Sequence, residues 1–151
     1  MNSQQDDPEA AFASALAGDL RALIGKLKRK LREQANVVGD LTPSQVSVLL
    51  RLEREGPTTM SNLARAEGMR PQSMGSAVAP LEAAGFVSGA PDPNDGRQTI
   101  LSLTDTCREW IREGRAARQD WLFRTIRTRL SPREQKDLAA AVELLRRLVD
   151  D

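Results

Sequence analysis

The side chains with the most evident chemistry lie in the middle of the chain, in the run that begins at Arg70. Four polar residues there offer hydrogen-bond donors and acceptors of the kinds that contact base edges and phosphates. They are Arg70, Gln72, Ser73 and Ser76. Helical spacing puts the last three on the polar side of a helix that opens at Pro71. An ordinary solvent-exposed polar face is the alternative, and composition alone does not separate the two.

A second candidate group follows a stretch of turn-forming residues at positions 91–96. Arg97 lies just past this turn, and Asp95 precedes it by two residues, close enough for the carboxylate to orient the guanidinium. An arginine fixed on a projecting loop can enter a DNA minor groove, whose negative potential favours it. A local ion pair that only holds the turn is the alternative interpretation.

The residues that most enzymes and metal sites use are missing from this sequence of 151 residues, which has no His and no Tyr. Without His the chain cannot build a Ser-His-Asp or Cys-His catalytic site, and it lacks the commonest metal ligand. We therefore expect no enzyme activity, no cofactor and no metal site. The net charge of +1 neither demands nor forbids nucleic acid.

Cellular location also follows from composition. One Cys cannot form an internal disulfide, so nothing requires an oxidising compartment. The first nine residues carry three acids and no base, and no apolar run approaches the ~20 residues of a membrane span. We expect a cytoplasmic protein with no signal peptide and no membrane contact.

Helix signals surround the candidate residues. A capping box of Thr42 and Gln45, with Pro43 at the first helical position, predicts a helix that runs to about residue 55. We expect its inward side to carry four apolar residues, namely Val46, Leu49, Leu50 and Leu52. A short helix from about residue 59 to residue 68 should follow, and then the helix with the polar side, over residues 71–84.

One residue opposes the last of these assignments. Pro80 has no N–H, and its ring crowds the carbonyl of Ser76, so we expect a kink or a local loss of hydrogen bonding there. Beyond this helix, extended runs at residues 86–89 and 98–103 enclose the turn and predict a β-hairpin with a polar tip.

Long helices are predicted at both ends of the chain. After a tail at residues 1–8 that we expect to be disordered, a helical segment covers residues 9–38, and its predicted start has Asp7 as N-cap, Pro8 as first helical residue and Glu9 as first-turn acid. Near the other end, Thr104 caps a helix to about residue 129, and a capping box at Ser131 starts the last one. The first and last helices carry apolar stripes: Phe12, Leu16 and Leu20 in the first, and Val142, Leu145 and Val149 in the last. Each stripe either packs within its own domain or contacts a second chain.

The order of two helices, a glycine-containing turn, a third helix and a β-hairpin predicts a winged helix-turn-helix, a mainly α fold with a small β-wing. Three motifs resemble the MarR family of bacterial transcription regulators. DGR at residues 95–97 with LSLT at 101–104 is similar to the family's wing signature, LEAAGFV at 81–87 is similar to its junction between recognition helix and wing, and TPSQV at 42–46 opens the second helix. The resemblance covers residues 10–150.

The resemblance implies one MarR-like domain over residues 1–151, in which 42–103 form the winged lobe and 9–38 and 104–151 form the dimerisation and linking helices. It implies a homodimer on double-stranded DNA with a pseudo-palindromic operator. Gln72, Ser73 and Ser76 would face the major groove, and Arg97, held by Asp95, would reach the minor groove. It also implies a repressor that is released by a small lipophilic or phenolic effector.

Two alternatives stay open. A winged-helix module can use the same surface for a protein partner without operator binding. The near-neutral net charge favours this alternative, as does the presence of only one basic residue, Arg70, in the recognition helix. A steep fall of DNA affinity with salt would favour DNA binding instead. Cys107 lies in a first helical turn that could favour a thiolate, which makes it a candidate redox residue, with a small packed side chain as the alternative.

Overall fold

The structure, a computed structural model, describes residues 7–35 and 41–151. In these residues it contains six helices and three strands. In chain order they are α1 (Pro8–Glu33), α2 (Pro43–Glu55), β1 (Thr58–Thr59), α3 (Met60–Ala66), α4 (Pro71–Ala83), β2 (Val87–Pro91), β3 (Thr99–Leu103), α5 (Asp105–Arg129) and α6 (Pro132–Val149). The predicted fold class, mainly α with a small β-wing, is confirmed.

The chain divides into two compact units that share α5. The first unit, which we call the terminal unit, contains α1, the part of α5 from Ala116 onward, and α6. The second, which we call the winged unit, contains the elements from α2 through β3 and the part of α5 up to Arg115.

An aliphatic core holds the winged unit together. It contains fourteen buried residues: Val48, Leu49, Leu52, Leu63, Ala64, Met74, Val78, Leu81, Phe86, Val87, Leu101, Leu103, Cys107 and Ile111. Phe86 stacks on Trp110 with 5.0 Å between the ring centroids. Because full burial of one large apolar side chain contributes about 1.5–3 kcal/mol, this cluster is sufficient to fix the helices around the sheet.

The helix starts that the capping signals predict are confirmed. The Thr42 hydroxyl accepts the Gln45 backbone N–H at 3.2 Å, and the Gln45 side-chain oxygen accepts the Thr42 N–H at 2.9 Å. Ser131 and Glu134 repeat this pair of bonds at the start of α6. Each box satisfies two N–H groups that the helix cannot pair internally.

The bounds of α1 differ in part from the prediction. Its start confirms the predicted signals, because Asp7 is the N-cap and accepts the Glu9 N–H at 3.0 Å, and Pro8 is the first helical residue. The range 1–8 that we assigned to a disordered tail therefore extends too far. The helix ends at Glu33 rather than near residue 38. Residues 1–6 and 36–40, on which parts of these predictions fall, lie outside the described residues.

The inward side of α2 was predicted correctly for Leu49 and Leu52 but wrongly for Val46 and Leu50. Val46 and Leu50 are 39% and 41% exposed, whereas Val48 and the polar Gln45 are buried. The buried residues are Gln45, Val48, Leu49 and Leu52, which follow helical spacing. Apolar residues lie on both sides of α2, so counting apolar residues alone does not identify the inward side.

The helix α4 continues through Pro80 to Ala83, so Pro80 does not end it. Pro80 cannot donate a backbone hydrogen bond, but it lies in the last turn, and the Ala84 N–H donates to the Pro80 carbonyl at 2.9 Å. The proline therefore removes one donor near the helix end without interrupting the helix.

The three strands form one antiparallel sheet in the order β1-β3-β2. The predicted hairpin is present, with β2 at Val87–Pro91 and β3 at Thr99–Leu103. Strand β1 was not predicted. Its two residues, Thr58 and Thr59, are too few to show an alternating pattern, and they pair with Leu101 and Ile100, about forty positions away.

Candidate nucleic-acid interface

A tight turn joins α3 to α4 and sets where α4 starts. Gly68 adopts a left-handed backbone with φ of +64°. Its N–H donates to the Arg65 carbonyl at 3.2 Å, and the Met69 N–H donates to the Ala64 carbonyl at 2.8 Å, which closes the end of α3. Arg70 then takes the N-cap position of α4 with its side chain exposed.

The inner side of α4 is attached to α2 and to the core. Met74, Val78 and Leu81 are buried. The side-chain amide of Gln45 in α2 donates to the backbone carbonyl of Ala77 at 3.1 Å. Apolar burial and one directional hydrogen bond therefore fix which side of α4 faces outward.

The outer side of α4 carries the polar residues that the sequence singled out. Gln72, Ser73 and Ser76 are all exposed, as predicted, and lie with Arg70 around the first turns of the helix. The Ser76 hydroxyl donates to the Gln72 carbonyl at 3.1 Å, so its oxygen lone pairs, rather than its hydrogen, point to the outside.

The turn between β2 and β3, which we call the wing tip (residues 92–98), is organised by side-chain caps. Asp95 accepts the Arg97 backbone N–H at 3.1 Å, and its carbonyl accepts the Gln98 N–H at 2.9 Å. The Arg97 Nε lies 4.0 Å from the Asp95 carboxylate, and the Arg97 side chain is 97% exposed. Asp95 thus orders mainly the backbone that carries Arg97 and leaves the guanidinium available for an outside anion.

Thr104 joins the base of the wing to α5. Its hydroxyl donates to the Gly85 carbonyl at 2.5 Å and accepts the Cys107 N–H at 3.1 Å, which caps α5. Its backbone N–H donates to the Phe86 carbonyl at 3.1 Å. One residue therefore connects the end of α4, the start of β2 and the start of α5.

An ion pair that sequence reasoning missed holds α2 against the end of α3. Arg51 donates to the Glu67 carboxylate at 2.6 Å, and the Ser47 hydroxyl donates to its other oxygen at 2.8 Å. The Glu67 side chain is only 11% exposed. The hydrogen bond from Arg51 lowers the pKa of Glu67 below its ordinary value of 4.5. No local pattern links residues sixteen positions apart, so no sequence signal indicated this pair.

The structure does not support the redox interpretation of Cys107. The thiol is fully buried in the core, and burial raises its pKa to about 11. A reactive cysteine needs a thiolate at neutral pH and access from solvent. Cys107 has neither property and packs as a small core side chain.

The predicted dimerisation residues lie on α1 and α6, and neither helix has a buried residue within the single chain. Phe12 and Leu16 are 72% and 56% exposed and Leu20 is half-buried. On α6, Val142 and Leu145 are each 38% exposed and Val149 is 78% exposed. Within the single chain, packing does not cover these apolar faces.

Comparison with known proteins identifies the family. The sequence model of the MarR family matches residues 41–99, which span the elements from α2 through β2 and the wing tip. HTH-type transcriptional regulators of Mycobacterium tuberculosis and Mycobacterium bovis are each 39% identical over 136 residues, which is 90% of this chain and 94% of the relative. The chain belongs to the MarR family.

Solved structures agree with this assignment. A transcriptional regulator protein from Pseudomonas aeruginosa matches with a TM-score of 0.78 at 34% identity, over 92% of this chain and 97% of that chain. A point mutant of S. aureus MepR, bound to an oligodeoxyribonucleotide, shows the same fold with a TM-score of 0.71 at 19% identity, over 88% and 97% of the two chains. This MarR-family chain is a transcriptional regulator with a winged-helix DNA-binding fold.

Within the residues that the structure describes, no helix is long and apolar enough to cross a membrane.

The ion pair between Arg51 and Glu67 should make the free energy of unfolding depend on pH. Replacing Glu67 with Gln should lower the free energy of unfolding at pH 7 by about 1–3 kcal/mol, because Arg51 loses the nearer and more buried of its two carboxylate partners and keeps only the more exposed Glu55 at 3.0 Å. The folded pKa of Glu67 is below 4.5, so its contribution is complete above that pH and is lost as the pH falls through the folded pKa. Urea unfolding followed by circular dichroism between pH 3 and pH 7 measures both effects.

The difference between the parent and Glu67→Gln should therefore shrink toward pH 3. Glu33→Gln is the matched control, because Glu33 faces Lys30 at 4.0 Å with both side chains more than half exposed. Such a surface pair contributes little. An equal, pH-independent loss in both variants would show that the Glu67 pair does not hold α2 and α3 together.

Proposed function

We propose that this MarR-family regulator is a cytoplasmic repressor that binds, as a homodimer, a pseudo-palindromic operator in double-stranded DNA. The wing tip carries the proposal: Arg97, whose side chain is 97% exposed, lies on a turn that is capped by Asp95. In the proposed complex α4 enters the major groove with Gln72, Ser73 and Ser76, and Arg97 enters the adjacent minor groove. Arg70, at the start of α4, contacts a phosphate or a base edge there.

The Arg97 assignment predicts a loss of DNA affinity. Arg97→Ala should weaken binding to an operator duplex, obtained by selection from a random-sequence library, on the order of tenfold or more. Fluorescence anisotropy at several salt concentrations measures it. The affinity of the parent protein should fall steeply with salt, because neutralised phosphates release counterions.

Arg133→Ala is the matched control, since it removes an exposed arginine from α6, outside the winged unit. Its operator affinity should equal that of the parent. DNA binding that is weak, unselective and unchanged by Arg97→Ala would contradict the proposal and favour the protein-binding winged helix. That alternative has one supporting observation, the absence of any charged residue from position 71 to position 80.

The homodimer is supported by the apolar faces of α1 and α6. Phe12, Leu16, Val142, Leu145 and Val149 are all more than a third exposed in the single chain. Burying such faces against a second copy is strongly favourable, whereas exposing them to water is unusual for a protein that functions alone. Two copies would also match a two-fold symmetric operator.

A charge in this apolar face should break the dimer. Leu145→Asp should shift the protein from dimer to monomer in size-exclusion chromatography with light scattering, and should weaken binding to a two-half-site operator more than to a single half-site. Lys136→Asp, at an exposed position of the same helix, should leave the dimer intact. A dimeric Leu145→Asp protein would place the interface elsewhere.

A small lipophilic or phenolic effector completes the proposal, in which effector binding releases the repressor from DNA. Its support in the winged unit is the outward face of α2, where Val46 and Leu50 are exposed one turn apart. By linkage, a compound that weakens operator binding must itself bind more weakly, by the same factor, to the operator complex. Titrating such a compound, identified by thermal-shift screening, with and without operator tests this; equal affinities would contradict it.

A further inference from the structure

The outer side of α4 carries polar residues near its start and apolar residues further along. Helical spacing aligns two polar residues with two apolar ones further along, and all of them are exposed. We call this set, with Ser73, the groove face: Gln72, Ser73, Ser76, Ala79 and Pro80. Its members span about 12 Å along the helix axis, at a rise of about 1.5 Å per residue.

Charge is the first property that restricts which base pairs this surface reads. From position 71 to position 80 the sequence contains neither an acid nor a base. Guanine presents two acceptors in the major groove and is read chiefly by Arg or Lys, and the cytosine amino group is read by Asp or Glu. Beyond Arg70 at its N-terminus, this part of α4 offers G·C pairs none of these charged partners.

The polar members fit adenine instead. A glutamine amide makes two hydrogen bonds to adenine, one donated to N7 and one accepted from N6. In the described part of the chain no hydrogen bond occupies the Gln72 amide, so both of its ends are available. The Ser76 hydroxyl hydrogen is committed to the Gln72 carbonyl, so Ser76 presents an acceptor, which suits an amino group such as adenine N6.

The apolar members fit thymine. Ala79 and Pro80 expose carbon atoms on the same side, and thymine is the base that carries a methyl group in the major groove. Packing in the core does not explain why α4 contains a proline. A proline inside a helix removes a hydrogen bond, and Pro80 is exposed instead of packed in the core cluster. A contact with another molecule gives this exposed ring a role.

We propose that α4 reads A·T base pairs in the major groove of each half-site, with Gln72 on an adenine and Ala79 and Pro80 on thymine methyl groups. This inference rests on the proposed DNA binding and adds the identity of the bases. The preference arises at the major-groove edge. It is therefore distinct from an A·T preference that Arg97 could create through a narrow minor groove.

Base analogues in the selected operator separate the two edges. Replacing one thymidine by deoxyuridine removes only the methyl group in the major groove. Replacing an A·T pair by inosine·cytosine gives the major groove the hydrogen-bonding pattern of a G·C pair, while the minor groove keeps the pattern of an A·T pair. We expect deoxyuridine to weaken binding about fourfold at the thymines that contact Ala79 and Pro80, because burial of roughly one methylene group stabilises a complex by about that factor. At the adenine that Gln72 reads, inosine·cytosine should cost roughly 5-fold to 100-fold.

Variants assign each effect to a residue. Ala79→Gly should bind the parent and deoxyuridine operators equally at the thymine that Ala79 contacts, and Gln72→Ala should lose its sensitivity to inosine·cytosine. Arg97→Ala is the control, because it should keep both sensitivities while its overall affinity falls. Circular dichroism and light scattering confirm that each variant is folded and has the parent's oligomeric state.

The outcomes distinguish this inference from the proposed function. The protein could bind a selected site specifically and with unchanged affinity after every deoxyuridine and inosine·cytosine replacement, or the positions that α4 contacts could be G·C pairs. Either result overturns the A·T inference and leaves the DNA-binding proposal standing. Failure to select any sequence from the library overturns both.

Discussion

The winged unit depends on one buried polar side chain, Gln45. A buried amide is costly unless its groups are hydrogen-bonded, and Gln45 is only 8% exposed. Its oxygen accepts the Thr42 N–H at the start of α2, and its nitrogen donates to the Ala77 carbonyl in the middle of α4. The bond that begins α2 is therefore tied to the bond that positions α4. The outward direction of Gln72 and Ser76 follows from it.

Gln45 makes one local and one distant hydrogen bond, and this difference in range separates the features that the sequence could predict from those that it could not. Helix starts were predictable at Thr42 and Ser131, because a capping box is complete within four residues. The inward face of α2 was not, because the reason for burying Gln45 lies thirty-two positions away in α4. The same limit applies to the pair of Arg51 with Glu67 and to strand β1, whose partners are all distant in sequence.

The candidate site was more predictable than the packing behind it. Gln72, Ser73, Ser76 and Arg97 were found as polar residues in segments whose local signals, a helix start and a turn, already imply exposure. What the sequence could not give was the state of these groups. The hydrogen of Ser76 is committed within α4, and Asp95 orders the backbone of the wing tip more closely than it holds the guanidinium. These details decide which ligand atoms the side chains can address.

The two units place different demands on α5. Its first half is fixed in the winged unit by the buried Cys107 and Ile111, and Arg115 donates to Glu53 of α2 at 2.5 and 3.0 Å. Its second half, from Ala116, has no buried residue within the single chain. The first turn of α5 is also joined to the wing through Thr104, whose hydroxyl donates to the Gly85 carbonyl and accepts the Cys107 N–H. One helix therefore combines two kinds of surface: a first half whose Cys107 and Ile111 are buried in the core of the winged unit, and a second half in which no residue is buried within the single chain.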